Sequence, residues 1–209
     1  MTKEITKNDG INRPKTKLGL TKMLKLIESA EELFTTKGFY QTSISDICKN
    51  AGTAVGTFYI YFETKTDIYR YMMDSYSEEI KLRLSDAIRG CKTREEKERE
   101  GIKCFIKYAV QSPNVYNIIW GSLSVDKTLF ENYYESFARS YTKSLLRDSE
   151  DISVSDVTTI AYMLMGISNF VGLRAIFDDM TVEEIDKMVD ESVMPALRSG
   201  ILNKSTVTL

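Results

Sequence analysis

Apolar residues recur at three- and four-residue steps along most of the chain, and no stretch alternates with the period of two that a half-buried strand requires. Leu20, Met23, Leu24, Ile27, Ala30, Leu33 and Phe34 trace the buried face of a first helix ending at Gly38. Ser43 with Asp46 resembles a capping box, with a shorter acid than the usual glutamate. It opens a helix of about two turns that buries Ile44, Ile47, Cys48 and Ala51 before Gly52 breaks it. A second short helix follows through about Tyr61. Thr64 caps a long fourth one, which carries Ile68, Met72, Tyr76, Ile80, Leu84 and Ile88 on one face and runs to Gly90.

The same period continues beyond the charged segment Lys92 to Glu100. Ile102, Phe105, Ile106, Ala109 and Val110 predict a helix before Pro113, and a short one covers roughly 114–121. A long aromatic helix from Asp126 to Leu146 holds Leu129, Phe130, Tyr133, Phe137, Tyr141 and Leu145 in register. Ser153 to Asp156 is a capping signal for an unusually apolar helix ending at Phe177, and Thr181 caps a last amphipathic one ending near Gly200. The expected fold is all-α with about nine helices. Its expected parts are a basic flexible arm at 1–16, a three-helix unit at 17–65 and a larger helical domain at 66–209. The run Arg94 to Glu100 is mixed in sign and reads as a solvated helix start.

Composition narrows the function. At 43% hydrophobic and 28% charged residues the chain has an ordinary globular make-up. No apolar run approaches the roughly 20 residues that cross a bilayer, and no apolar segment follows the first charges, so the expected location is the cytoplasm. Cys48, Cys91 and Cys104 form no C-x-x-C pair and are expected to be reduced. There is no histidine, which removes the commonest general base and the commonest zinc ligand. No Gly-rich phosphate loop or paired-carboxylate motif is present either. A protein that is not an enzyme, with no cofactor and no metal, is expected. Residues 1–25 hold seven lysines and arginines against two acids, on a chain of net charge −2. That basic end is either a nucleic-acid footprint or a solvated tail.

Ser43 to Lys65 carries the candidate chemistry. Two short helices joined by a tight turn containing glycine, with a basic segment upstream, follow the helix-turn-helix plan. Such a unit needs a second helix whose exposed start is small and polar, so that its backbone can approach the bases. Residues 53–62 read Thr-Ala-Val-Gly-Thr-Phe-Tyr-Ile-Tyr-Phe. Phe58 and Phe62, four apart, face inward. Thr57, Tyr59 and Tyr61 project hydroxyls that can meet phosphates or base edges, and Gly56 has no side chain to hold the helix off the groove. A small core helix with surface tyrosines fits the same pattern.

The run Gly38-Phe39-Tyr40-Gln41-Thr42-Ser43-Ile44-Ser45-Asp46-Ile47, with Ala51-Gly52, Gly56-Thr57-Phe58-Tyr59, Tyr61-Phe62 and Lys65, resembles the N-terminal signature of the TetR family of transcriptional regulators. Ile27, Ala30, Leu33 and Phe34 match that family's first-helix pattern. The resemblance spans about residues 20–70; beyond residue 90 only helix count and length are similar. It implies three DNA-binding helices, a fourth linking to the C-terminal domain, and a homodimer on double-stranded operator DNA. On this resemblance Thr42 and Ser43 cap the second helix and meet phosphate. Thr53, Val55, Gly56, Thr57 and Tyr59 face the major groove, and Tyr61 and Lys65 hold backbone phosphates. Two positions depart from the pattern. Ala54 stands where many members cap the recognition helix with a hydroxyl, which here lies one residue earlier on Thr53. Val55 replaces an often polar residue and can touch only apolar groups such as a thymine methyl.

In such a family the C-terminal domain senses a small-molecule effector. Its aromatic residues are mostly core, yet a pocket needs apolar walls with a few polar groups. The candidate ligand contacts are Tyr108, Trp120, Phe137, Tyr141, Tyr162, Asn169 and Arg174, with Trp120 expected near the domain's mouth and Arg174 able to pair an acidic effector. Asn169 is either a satisfied core amide or a ligand contact. Ala161, Gly166, Ser168 and Gly172, with Ile185, Met188, Val189, Ser192 and Leu197, serve either a dimer interface or internal packing. The expected effector is apolar or amphipathic. Two alternatives stay open: a constitutive DNA binder of the same fold with a filled pocket, and a small helical enzyme or carrier. The missing histidine weighs against the second.

Overall fold

The computed structural model describes residues 10–147 and 156–200, and within them every named element is helical. The chain forms two compact units, one from residues 1–76 with 116–130, the other from 77–115 with 131–209. The first unit therefore continues past residue 65 and takes in a later segment, unlike the division expected at 65/66.

In the first unit, α1 (Lys17–Thr36) starts at Thr16, whose side chain accepts from the Gly19 N–H. Its buried stripe is Met23, Leu26, Ser29, Ala30, Leu33 and Phe34. Leu20 and Leu24 lie at the edge of that stripe and are exposed, against expectation. Ser29 donates to the Ile47 carbonyl, 2.8 Å away, which anchors α2 (Ile44–Asn50) on α1. The Ser43–Asp46 capping box forms as expected. Gly52 takes φ +63° in the turn that follows, a left-handed backbone that side chains other than glycine resist. Then comes α3 (Val55–Tyr61), capped at Ala54 without a side-chain bond. Thr53 does not supply the missing cap, because its hydroxyl points back to the Cys48 carbonyl at 3.5 Å.

Next, α4 (Lys65–Ala87) opens on a reciprocal Thr64–Asp67 pair, and its residues Ile68, Tyr69, Met72, Met73 and Tyr76 are buried. Residues 116–130 dock through tyrosine hydroxyls: Tyr69 donates to the Ile118 carbonyl and Tyr40 to that of Ser124. These carbonyls belong to α6 (Pro113–Val125), which is longer than the expected 114–121.

The second unit is organised by α5 (Arg94–Gln111), α7 (Lys127–Arg147) and α8 (Val157–Phe177). The final run passes from α9 (Val182–Met188) through one π-helical turn (Val189–Val193) into α10 (Met194–Gly200). Taken as one run, it gives nine helices among the described residues. Ile102, Ile106, Leu145, Leu164, Val189 and Met194 sit at the centre of its core. Thr93 with Glu96 and Thr181 with Glu184 form capping boxes. The cap on α8 is Asp156 itself, which accepts from the Thr159 N–H; Ser153 lies outside the described residues.

Two expectations change here. The segment at Arg94 is not a solvated start: Arg94 and Glu98 are buried and paired with each other. In addition, α8 has 21 residues and is long and apolar enough to match a membrane span by length and composition, although no such run was expected. Ile160, Ala161, Leu164 and Ala175 of that helix are buried in the unit's core.

Candidate nucleic-acid interface and cavity

A helix seven residues long presents two faces, and α3 divides them sharply. Phe58 is fully buried and leans on Phe62, with ring centroids 5.6 Å apart. The other face is open. Val55 is 43% and Tyr59 55% exposed, and nothing lies within 4 Å of where a Cβ on Gly56 would stand. Thr53 and Thr57 are half-buried beside them. Ile60 is also exposed on this helix, a position that the sequence pattern did not single out. The exposed start of α3 is thus small, weakly polar and unobstructed, the form that major-groove reading requires.

Three expected phosphate contacts are placed differently. The side chain of Thr42 is buried and donates to the Leu33 and Gly38 carbonyls, so it closes the α1–α2 turn rather than facing solvent. Tyr61 is also buried, only 5% exposed, because α3 turns that face inward. Lys65 directs its ammonium to the Phe39 and Thr42 carbonyls and over the Phe39 ring, 4.2 Å from its centroid. Burial there pushes the Lys65 pKa below its ordinary value. Ser43 remains exposed at the start of α2. Bonds from the Ser43 N–H and hydroxyl hold the Asp46 carboxyl below the usual carboxylate range. Ser43→Ala is expected to cost about 1 kcal/mol of stability through the lost cap. A urea midpoint unchanged from wild type would mean that Asp46 alone holds this helix start.

Upstream, the last part of the arm is paired with the body of the unit. Asn12 and Gly10 engage the end of α3 through backbone bonds, and Ile11 forms a bridge with Phe62. The polar segment had been expected to be a flexible arm throughout; Lys3 and Lys7 lie outside the described residues.

The second unit contains a cavity of about 540 Å³, within the usual range for small-molecule sites. Leu84, Ile88, Phe105, Tyr133, Phe137 and Met165 supply apolar walls. Among the described residues, the charged side chains along it are Lys81, Arg94, Lys97 and Arg147, all basic. Arg94 is already matched: it binds Glu98 and donates to the Ser144 hydroxyl, while Glu98 accepts the Tyr141 hydroxyl. Burial and the adjacent Glu98 carboxylate drive the Tyr141 pKa well above its ordinary value, so this phenol stays a donor.

Of the candidate ligand contacts, the cavity brings together Phe137, Tyr141 and Asn169. Asn169 donates to the Met165 carbonyl and accepts from Tyr134, so it is a satisfied amide on the cavity wall. The other four lie elsewhere. Tyr108 is buried, its hydroxyl near Glu79 and its ring under the Arg83 guanidinium. Tyr162 is exposed, and Arg174 is exposed and paired with Asp178. Trp120 belongs to the first unit, between Tyr116 and Phe130, so it does not report on the cavity by contact.

Part of α8 faces outward with large apolar groups: Tyr162, Met163, Phe170 and Phe177 are exposed at helical spacing. The small residues expected at an interface mostly face inward instead. Ala161 and Ser168 are buried, and a Cβ on Gly172 would lie within 4 Å of Phe105 and Ala109 of α5. Ile185, Met188, Val189 and Leu197 are core as well.

A capped two-helix motif on a supporting first helix, with the open face of α3 beside it, defines a helix-turn-helix unit. Residues 26–72 match the sequence profile of bacterial regulatory proteins, tetR family. Over that segment, which holds α2 and α3, the chain is similar to the TetR family. It is 54% identical over 41 residues to an uncharacterized HTH-type transcriptional regulator, YvdT, of Bacillus subtilis, a match covering 20% of this chain and 21% of that protein. It is 43% identical over 47 residues to the fatty acid metabolism regulator protein of the same organism, covering 22% and 24%. These matches span about a quarter or less of the curated relatives' length. The fold as a whole resembles that of a fatty acid degradation regulator from Bacillus halodurans, with a TM-score of 0.73 and 18% identity over 90% of this chain and 98% of that one.

Proposed function

We propose that this protein is a cytoplasmic transcriptional repressor that binds an inverted-repeat operator as a homodimer and is released by an amphipathic anion. The observation that carries this reading is the union, in one chain, of an unobstructed α3 start and a roomy cavity with apolar walls and, among the described residues, only basic charges along it. Val55, Gly56, Thr57 and Tyr59 read the groove, with Thr53 beside them, and Ser43 approaches a phosphate. The names of two similar proteins, a fatty acid metabolism regulator and a fatty acid degradation regulator, agree with an effector that has a hydrocarbon chain and an anionic head. Glu98 neutralises Arg94, and Lys81, Lys97 and Arg147 add positive charge along the cavity that favours an anionic head. The constitutive alternative requires a filled core, and the open cavity counts against it.

Release requires the effector to favour one of two states of the protein, and α4, whose residues fall in both units, is the candidate link. The test is selection of bound duplexes from random DNA, then operator titrations with palmitate, palmitoyl-CoA and, as a reversed-charge control, an alkyltrimethylammonium. The anions are expected to weaken operator binding about 5- to 150-fold and the cation to leave it unchanged. If no duplex is enriched, the DNA-binding reading fails. Enrichment without any response to the anions would favour constitutive repression.

A further inference from the structure

Helix geometry leaves the last carbonyls of α3 without intrahelical partners. Two of them are met from an unexpected direction. The Asn12 N–H donates to the Tyr61 carbonyl at 2.8 Å, and the Asn12 side-chain amide donates to the Ile60 carbonyl at 3.0 Å. The pairing extends on both sides, through the Ile11–Phe62 bridge and through the Glu63 N–H, which donates to the Gly10 carbonyl at 3.1 Å. Gly10 has φ +71°, and a Cβ there would come within 2.8 Å of the Asp67 carboxyl carbon. That carboxylate cannot easily retreat, because Thr64 and Arg70 both hold it. The strap therefore seats only with glycine at its turning point. Four residues further on, Pro14 lies against Gly19 and Thr16 caps α1. Residues 10–16 thus run from the end of α3 to the start of α1.

We infer that the strap Gly10–Asn12 is the C-terminal cap of the recognition helix, and that Asn12 is a positioning residue that fixes α3 for base reading. This rests on the reading of α3 as the recognition helix. The strap touches α3 at the end opposite its exposed start, so it acts on the angle and register of the helix rather than on bases. A loosened α3 loses contacts that depend on exact base edges, while contacts to phosphate tolerate the slack.

The test compares wild type, Asn12→Ala, Gly10→Ala and Lys15→Ala on the selected operator and on a scrambled duplex of equal length, across a range of salt. Asn12→Ala and Gly10→Ala are expected to weaken operator binding about fivefold or more, in line with the loss of one well-formed hydrogen bond. Binding to the scrambled duplex should stay within about twofold and the salt slope should not change, because no charge is removed. Lys15→Ala should show the reverse, a flatter slope and weaker binding to both duplexes. Were Asn12 merely stabilising the fold, both duplexes would be lost equally, and that result overturns the inference. Undiminished operator preference in both strap variants also overturns it. A wild type that prefers no duplex would remove the recognition-helix reading, and this inference with it.

Discussion

Phe170→Asp is expected to turn a dimer into a monomer and to abolish tight operator binding without harming the fold. Phe170 is 66% exposed and stands with Tyr162, Met163 and Phe177 on the outward face of α8. Large apolar side chains exposed together on one helix in this way are expected to form a contact surface. In a twofold dimer each chain contributes the same patch, so one substitution acts twice. Burying a phenylalanine is worth about 1.5–3 kcal/mol, and two losses amount to roughly a 10²- to 10⁴-fold weaker dimer. The charge adds a desolvation penalty at the same point. Because the wild-type ring is largely in solvent within the single chain, the urea midpoint measured at monomer concentrations should hold. Sedimentation velocity reads the association, and anisotropy on an intact inverted repeat reads the loss of coupling between half-sites. A variant that sediments as wild type and binds the operator equally well would put the interface elsewhere.

That patch also shows why part of the molecule was legible in the sequence and part was not. Capping is local, so the Ser43–Asp46 pair and the caps at Thr64 and Thr181 could be read from neighbouring residues, and the structure contains all three, adding Asp67 and Glu184 as the partners of the last two. An amphipathic helix declares its inner face, but α8 is apolar nearly all round. Its small residues were equally suited to an interface or to packing, and only α5 lying against Gly172 decides for packing. Arg94 and Glu98 give the same lesson for charge. Four apart in a mixed-sign run, they look solvated, and their burial depends on Ser144 and Tyr141, 50 and 43 residues away in sequence.

The candidate interface followed the same logic. Resemblance assigns a position along α3 but not the direction of its side chain, so Gly56 and Tyr59 emerge on the open face while Tyr61 turns into the core. Lys65 has the reach of a phosphate ligand, yet two carbonyls of the α1–α2 turn lie closer. The strap left no periodic signal at all. Its one sequence mark is Gly10, whose need becomes visible only when Asp67 stands opposite.

Gly56→Glu is expected to leave a stable, folded protein that no longer binds its operator. The site has room, since no atom lies within 4 Å of the added Cβ, and the backbone there is helical. Glutamate is a better helix former than glycine by about 0.5–1 kcal/mol, and an acid in the first turn suits the helix dipole. The unfolding midpoint should therefore stay level or rise slightly. On DNA the same side chain enters the space that α3 needs to approach the bases, and brings a negative charge towards the phosphates. A cost of about 2 kcal/mol per half-site, the scale of one mismatched base pair, becomes roughly a 10³-fold loss over two half-sites. Gly56→Ala adds only a methyl group and should cost about tenfold or less, which separates bulk and charge from the mere loss of glycine. Dimer formation and the binding of palmitate or palmitoyl-CoA, read in the same preparations, should be unaffected. Operator affinity within threefold of wild type for Gly56→Glu would mean that the start of α3 does not enter the groove.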